Sequence, residues 1–371
     1  MLKTTQLHDY HSNHAKMTEF AGYDMPLWYT TTTEEHLAVR EGAGIFDVSH
    51  MGRFTVKGKQ AASFIEGLVP TGVGQQPPGK AFYTLLLDEQ AGIIDDLIIM
   101  RLGQDDFVLV VNAANAETDM RHIQATGIPA GVEVGDMTAT SVMIAVQGPK
   151  AQEALQPLTD LDLSQLKRFR CAETRLFGER ALVSRTGYTG EDGFEATIIG
   201  PTVEAPGKAL EAWEKLASSA RPCGLGARDS LRLEAGFPLH GSDIDQKTDP
   251  FQADLAWVIS AKSGYVGSAK VAELRTRPPE FVRRGVVLES GIPRHGFDVL
   301  GPEGPVGKVT SGTFSPILRR GIALCSVRQE SSEIGSGVKV TIRESVQAGH
   351  IVKPPFYDEQ LYGWKRRRNG N

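Results

Sequence analysis

The sharpest constraint in the sequence is a change of texture at Arg277-Pro278-Pro279. Two adjacent prolines remove two backbone donors and drive the preceding residue out of the helical region, so neither a helix nor a central strand continues through them. Before the break, strand-length apolar runs mix with stretches of helical spacing. After it come short β-branched runs at 282–288, 306–310, 322–327 and 338–342, separated by Gly, Pro and Ser. That spacing predicts a separate all-β barrel of about 80 residues.

Upstream, strands are expected at 53–57, 82–87, 93–101 and 107–111, with 82–87 and 93–101 forming a hairpin across the turn at 88–92. Helices are expected at 60–68, 115–123 and 209–217, the last because Ala209, Leu210, Trp213, Leu216 and Ala217 recur at helical spacing. Without a regular βαβ rhythm, the pattern argues for α+β rather than a doubly wound sheet. At 371 residues the chain is too long for one ordinary domain and predicts two or three.

Composition narrows the function classes. Forty Lys and Arg against 45 Asp and Glu leave a net charge of −5, which gives no field for gathering phosphates and disfavours a nucleic-acid partner. Against that acidic background, the cluster Lys365 to Arg368 reads as a solvated end. The three cysteines are far apart, so neither a disulfide framework nor a zinc site is expected, and a reducing compartment fits. No two of the nine histidines stand at i, i+4, which argues against a helical metal site. No apolar run approaches the ~18–20 residues that span a bilayer, and Met1 to Tyr10 lacks a basic end followed by an apolar stretch. A soluble, cytoplasmic protein is expected.

Four stretches could carry chemistry. In Gly92-Ile93-Ile94-Asp95-Asp96-Leu97-Ile98-Ile99-Met100, strand alternation puts Asp95 on a face with Ile93, Leu97 and Ile99, and Asp96 on one with Ile94, Ile98 and Met100. Either a carboxylate lies among hydrocarbon, where it needs a partner or a raised pKa, or the pair sits at the open mouth of the hairpin. A cleft carboxylate of the first kind is a candidate acid, base or cation stabiliser, and alternation does not choose between the two.

Gly187, Gly190 and Gly193 punctuate a wide turn between strands at 181–183 and 194–199 and do not match a phosphate-binding glycine pattern, so a dinucleotide site is not supported. Glu195, lone on the second strand, reads on its own as a solvated or paired residue. If 226–236 is helical, Arg228 shares a side with Leu231 and Ala235 and must meet either an internal carboxylate or an anionic ligand. Asp47-Val48-Ser49-His50 crowds three triad-type residues too closely to act as one, since Ser49 and His50 face opposite ways, and reads as a turn entering a strand.

Taken together and in order, these stretches resemble the aminomethyltransferase (T-protein) family of the glycine cleavage system. The resemblance rests on Phe20-Ala21-Gly22-Tyr23-Asp24-Met25-Pro26, Phe46 to Gly52, Gly92 to Leu97, Val110 to Asn115, Gln147-Gly148-Pro149, Arg185 to Glu195, Gly226 to Gly236 and Val309-Thr310-Ser311-Gly312-Thr313-Phe314-Ser315-Pro316. It implies the multidomain folate-binding α+β fold with ferredoxin-like and related domains: two intertwined subdomains over 1–274, an antiparallel β-barrel over 280–360 and a basic tail over 361–371. It further implies a tetrahydrofolate-dependent reaction without metal or nucleotide. A lipoyl-bearing H-protein presents an aminomethyl group, ammonia is released, and the methylene passes to tetrahydrofolate as 5,10-methylenetetrahydrofolate.

By resemblance, Asp96 is the catalytic aspartate on the N10 side of folate. Glu195 hydrogen-bonds the pterin N–H groups, and Arg228 lies near the folate and its acidic tail. Met51, Tyr83, Asn112, Tyr188 and Trp257 line the folate slot, and Tyr362 contacts the folate tail. Phe237 stands where some relatives carry tyrosine, and Ala91-Gly92 where many carry Gly-Gly. The rival readings are a folate-dependent demethylase of the same fold and a non-enzymatic folate-binding module. The module's Lys-Gly-Cys-Tyr-x-Gly-Gln-Glu signature is absent from the loop at 187–192. The 371 residues also leave no room for the dinucleotide domain of the flavin-linked oxidases that carry this fold.

Overall fold

The computed structural model describes residues 1–202 and 205–366. An N-terminal hairpin, Lys16–Phe20 with Tyr23–Trp28, precedes two sheets, the second nested along the chain between two strands of the first. The first sheet runs, in spatial order, Cys171–Leu176, Glu179–Ser184, Gly193–Ile199, Ser141–Gln147, Gly44–Asp47 and Arg221–Pro222. The second runs Lys80–Leu87, Ile93–Arg101, Asp106–Val111, Gly52–Lys57 and Glu133–Asp136. The chain enters the first sheet at Gly44–Asp47, crosses to build the whole of the second between Gly52 and Asp136, and returns, so the second sheet is one continuous segment and the first is interrupted by it.

Each sheet buries a face against helices. Trp213, Leu216, Ala209 and Ala212 of the helix Lys208–Ala217 are fully buried against Ile144, Val146, Phe194 and Ile198 of the first sheet. Ala61, Ile65 and Leu68 of the helix Ala61–Leu68 pack on Phe54, Leu86, Leu97 and Leu109 of the second. Between the sheets lies a third apolar layer, with Phe46, Met100, Val110, Met143 and Leu231. The strand Ser141–Gln147 is buried along its whole length and has no polar alternation to mark it, which is why sequence spacing passes over it.

The expected barrel is present and closes with six strands, in the order Phe281–Leu288, Arg320–Arg328, Gly304–Ser315, Asp298–Gly301, Gly337–Ile342 and Ser345–Val352, the last pairing back onto the first. Four of these were expected. Ser345–Val352 escapes because only Ile351 is fully buried and Ser, Gln, Gly and His break up its apolar residues, and Asp298–Gly301 because it is only four residues long. The barrel docks on the helix Leu225–Ala235. Buried Arg232 bonds Asp243 at 2.6 Å and Ser311 Oγ at 2.9 Å, while Ser315 Oγ donates to Glu234 at 2.5 Å. The 309–316 motif is thus a docking strand that joins the barrel to the helix carrying Arg228.

The basic tail differs from a solvated end. Arg366 Nη2 bonds both oxygens of buried Glu191, at 2.7 and 2.8 Å, and the backbone carbonyl of Arg40 at 2.9 Å. Buried Arg40 pairs with both Glu191 and Glu234, and Arg366, as the second cation, completes the charge balance of the two carboxylates. Arg367 and Arg368 lie outside the described residues.

Candidate functional site

A cavity of about 580 Å³ opens where the second sheet, the loop 185–192, the helix Leu225–Ala235 and the barrel meet. Its wall includes Met51, Tyr83, Asp96, Asn112, Tyr188, Glu195, Arg228 and Trp257, so eight of the nine residues singled out from sequence converge on one space. Tyr362 stands apart. Its ring lies 6.4 Å from that of Tyr357, below the Arg366 guanidinium, and it does not line the cavity.

The two aspartates owe their placement to a β-bulge. Leu86 pairs with Asp95 but Leu87 pairs with Ile93, so the strand gains a residue at Ile94 and its alternation resets. Ile94 joins Leu97 and Ile99 in the helix-covered core, while Ile93 turns to a different cluster with Leu85 and Ile244. This corrects the uniform alternation expected for the run, in which Ile93 and not Ile94 would share the face of Asp95. It also resolves the alternatives left open there: neither carboxylate is at an open hairpin mouth, and neither lies bare among hydrocarbon.

Asp95 is fully buried and accepts three N–H bonds: from the Asn112 backbone at 2.9 Å, from Asn112 Nδ2 at 2.8 Å and from Asn115 Nδ2 at 2.6 Å. Asp96 faces the cavity and accepts from the Tyr83 hydroxyl at 3.0 Å and from Asn112 Nδ2 at 2.9 Å. Burial, with the charge of Asp95 adding to it, pushes Asp96 up to about 6, against the pull of Tyr83, His240 and Asn112. Asp96 is therefore anionic near neutrality and still within reach of a proton, as acid–base work demands.

The opposite wall is the glycine-punctuated loop. Gln147, at the end of its strand, donates to the carbonyls of Thr186 and Phe194 and accepts from Thr189 Oγ1 at 2.9 Å, pinning the loop from beneath. A Cβ on Gly187 would stand 1.9 Å from Gln147 Oε1, and Gly190, at φ +79°, would collide with the Tyr357 hydroxyl, so both positions require glycine. The loop presents Tyr188, whose hydroxyl donates to the Pro238 carbonyl and whose ring stacks on Phe237 at 5.9 Å. The Arg228 guanidinium lies 4.9 Å from the centre of the Tyr188 ring.

Arg228 answers the question posed by its helical phase. No carboxylate bridges it among the described residues. Its Nη1 is buried without a hydrogen-bond partner beside the cavity, facing Glu195 only at longer range. Glu195 accepts from Thr186 Oγ1 at 2.5 Å. On the far side Tyr83 stacks on Trp257 at 5.6 Å and 20°, and Trp257 is 68% exposed, an aromatic flap at the mouth.

Sequence spacing missed Arg168, Arg283, Arg284 and Lys353, which also line the cavity. With Arg228 they make its rim cationic on an acidic protein. None sits in a local motif, and the last three come from the barrel and its exit. Asn115 and His240 were missed as well. Asn115 Nδ2 lies 2.9 Å from His240 Nδ1, and His240 Nε2 donates to the Ile93 carbonyl at 3.1 Å, supporting the bulge from outside the cavity. The crowded Asp47-Ser49-His50 stretch is structural. Asp47 is buried on Thr5, His11 and the Ser49 amide, and His50 is pushed down to about 3 by burial and by Arg228.

Comparison with known proteins places these features in a family. Residues 7–263 match the family model described as the GCVT N-terminal domain, and residues 282–358 match the glycine cleavage T-protein C-terminal barrel domain. The chain is 44% identical over 329 residues to an aminomethyltransferase of Thermus thermophilus, covering 88% of this chain and 92% of that one. It is 42% identical over 367 residues to an aminomethyltransferase of Thermotoga maritima, covering 96% and 98%. The crystal structure of the glycine cleavage system aminomethyltransferase T from Bartonella henselae superposes with a TM-score of 0.90 at 34% identity, covering 98% of this chain and all of that one.

Proposed function

The chain belongs to the glycine cleavage T-protein family and is an aminomethyltransferase, and from that premise we propose how its cavity carries out the reaction. Tetrahydrofolate is the acceptor and an aminomethylated lipoyl carrier protein, the H-protein, is the donor. The observation that carries this reading is Asp96: a carboxylate on the wall of a cavity large enough for a pterin, held at two oxygens by Tyr83 and Asn112 and raised to about 6.

The residues present fit a reduced folate. A flat heterocycle rich in N–H donors suits an acceptor-only carboxylate, and Glu195 has one oxygen on Thr186 and its other oxygen available to a ligand. The rings of Tyr83, Tyr188, Phe237 and Trp257 supply stacking faces. The unpartnered Arg228 Nη1 and the cationic rim suit an acidic tail.

The chemistry is a double substitution at one carbon. Two folate N–C bonds form, the carbon's bonds to the amine nitrogen and to the carrier sulfur break, and the two folate N–H protons end on ammonia and on the thiol. Asp96, anionic at neutral pH, stabilises positive charge as the carbon's bond to the amine nitrogen breaks, takes a folate N–H proton and returns it to a leaving group. The sulfur that leaves the carbon is the carrier's, so none of this chain's own thiols, all three of them buried, need take part. Those reduced thiols fit a reducing compartment, and we place the enzyme in the cytoplasm.

The test is ammonia release from an aminomethyl-lipoyl carrier with and without tetrahydrofolate. Transfer should depend on folate, and Asp96→Asn should lower it ~10²-fold or more while folate affinity stays within several-fold. Full turnover by Asp96→Asn would end the assignment of Asp96. Turnover of a methylated small substrate in place of the carrier would favour a demethylase.

A further inference from the structure

Behind the Asp95–Asp96 pair stands a third acid. Asp119, on the helix Ala116–Ala125, is fully buried, and neither of its carboxyl oxygens meets a hydrogen-bond donor among the described residues. The group in hydrogen-bonding contact with it is the carboxyl of Asp95. Two carboxyl groups can hydrogen-bond only through a shared proton, because an ionised carboxylate is an acceptor alone. Asp95 already accepts three N–H bonds and is the natural anion; Asp119, which accepts none, is the natural acid.

From this geometry we propose that Asp119 is a positioning residue that stays protonated through the catalytic cycle. It donates to Asp95 and thereby fixes Asn112 and the carboxylate of Asp96. The inference rests on Asp96 being the proton-handling group.

The chain of contacts is continuous. Asp119 donates to Asp95, Asp95 holds the Asn112 backbone and side chain, Asn112 Nδ2 reaches Asp96, and Tyr83 closes the far oxygen. The groups facing Asp119 leave little choice of charge state. Asp95 and Asp96 approach from the strand Ile93–Arg101, and burial together with their charges pushes Asp119 up to about 10. His240, from the segment after the helix Leu225–Ala235, acts on Asp96 and is bonded to Asn115 and Ile93. On its own helix, Glu117 and Arg121 are exposed, and His122 has its pKa lowered by burial. The helix N-terminus favours an anion only weakly beside two carboxylates at close range. Were Asp119 ionised, three negative charges would share one desolvated pocket, and Asp96 would be driven to the protonated form it cannot use as a base.

Infrared difference spectroscopy of the full chain, wild type minus Asp119→Asn, should show a protonated carboxylic acid carbonyl band at neutral pH that persists to about pH 9. Asp119→Asn keeps a neutral donor, so kcat and the acid limb of the pH profile should stay within about threefold of wild type. Asp119→Ala removes the donor, and kcat should fall about tenfold, with the acid limb displaced and KM for folate changed less than kcat.

Absence of the acid band overturns the proposal, as does an acid limb that moves down in Asp119→Asn, because that variant would then have removed a charge. If Asp119→Ala fails to fold, the band and the Asp119→Asn profile still decide. Full turnover by Asp96→Asn with the band present would overturn the catalytic role while leaving the shared proton in place, so the two failures are told apart.

Discussion

Tyr83→Phe isolates one contribution to the charge state of Asp96. The Tyr83 hydroxyl donates to Asp96 Oδ2 at 3.0 Å, and it favours the anion because a phenol donates to a carboxylate more strongly than to a neutral acid. A hydrogen bond to a charged group is worth roughly 1.5–3 kcal/mol, and one pKa unit corresponds to about 1.4 kcal/mol, so its loss should raise Asp96 by roughly one to two units. The cavity is open enough for water to replace part of the bond, so the lower figure applies. Asp96 should move from about 6 to about 7. The required form is the anion, so activity is lost as pH falls through the pKa, and the variant should lose it about one unit earlier. At pH 6 the anionic fraction drops from about half to about a tenth, a fivefold loss in kcat/KM, while at pH 9 both proteins should be nearly fully anionic. The phenyl ring keeps its stack on Trp257, which limits the change to the hydroxyl. The assay is methylene transfer from the aminomethyl carrier to tetrahydrofolate across pH 5–9. An acid limb that stays in place or moves to lower pH refutes the reasoning, and so does a loss of equal size at every pH.

Three further outcomes follow from the same contacts. Glu195→Ala should weaken tetrahydrofolate binding by about 1–3 kcal/mol with a smaller effect on kcat at saturation, because a charge-assisted pair to the pterin is lost; unchanged affinity in calorimetry would contradict that role. Arg232→Met leaves buried Asp243 without its guanidinium and should cost roughly 3–5 kcal/mol in urea unfolding, with the barrel losing its anchor at Ser311. Asp47, held well below the usual carboxylate range by His11, Ser49 and Thr5 against the cost of burial, should contribute stability that is present above about pH 4 and lost as pH falls below it. Asp47→Asn should therefore be markedly less stable than wild type at pH 7, with the gap narrowing below pH 4, whereas a constant gap would deny the linkage.

Elements that alternate, or that carry a helical stripe, could be read from the sequence. The helix Lys208–Ala217 announces itself because one face meets core and the other meets water, whereas the hairpin of Lys80–Leu87 and Ile93–Arg101, buried on both faces, shows as two apolar runs across a turn, and four barrel strands show as β-branched runs between Gly, Pro and Ser. What could not be read is long-range. Nothing local shows that Gly44–Asp47 and Ser141–Gln147, nearly a hundred residues apart, are neighbours in one sheet, or that Ser311 and Ser315 seat the barrel on the helix that carries Arg228. The same holds for the rim cations Arg168, Arg283, Arg284 and Lys353. Each looks like an ordinary surface charge until three separate segments are brought together.

The aspartate pair shows where local reasoning stops and why. Strand periodicity recognises that two carboxylates in an apolar run need partners, but it assumes a constant period of two, and the bulge at Ile94 breaks that period at the functional position. The extra residue gives the two acids different neighbours: Asp95 is lodged inward on Asn112 and Asn115, and Asp96 faces the cavity. Gly92 belongs to the same device. A Cβ there would stand 2.0 Å from the Gln246 carbonyl, so the segment 245–248 can close over the start of the strand and bond Ile93. A substitution that filled Gly92 should therefore act on catalysis without touching a ligand, by lifting that segment and letting the bulge relax. Gly92→Ala should lower kcat for methylene transfer about tenfold while folate affinity, set by the opposite wall, holds within about threefold. A variant that lost affinity and kcat in equal measure would show that the bulge positions the cofactor and not the acid.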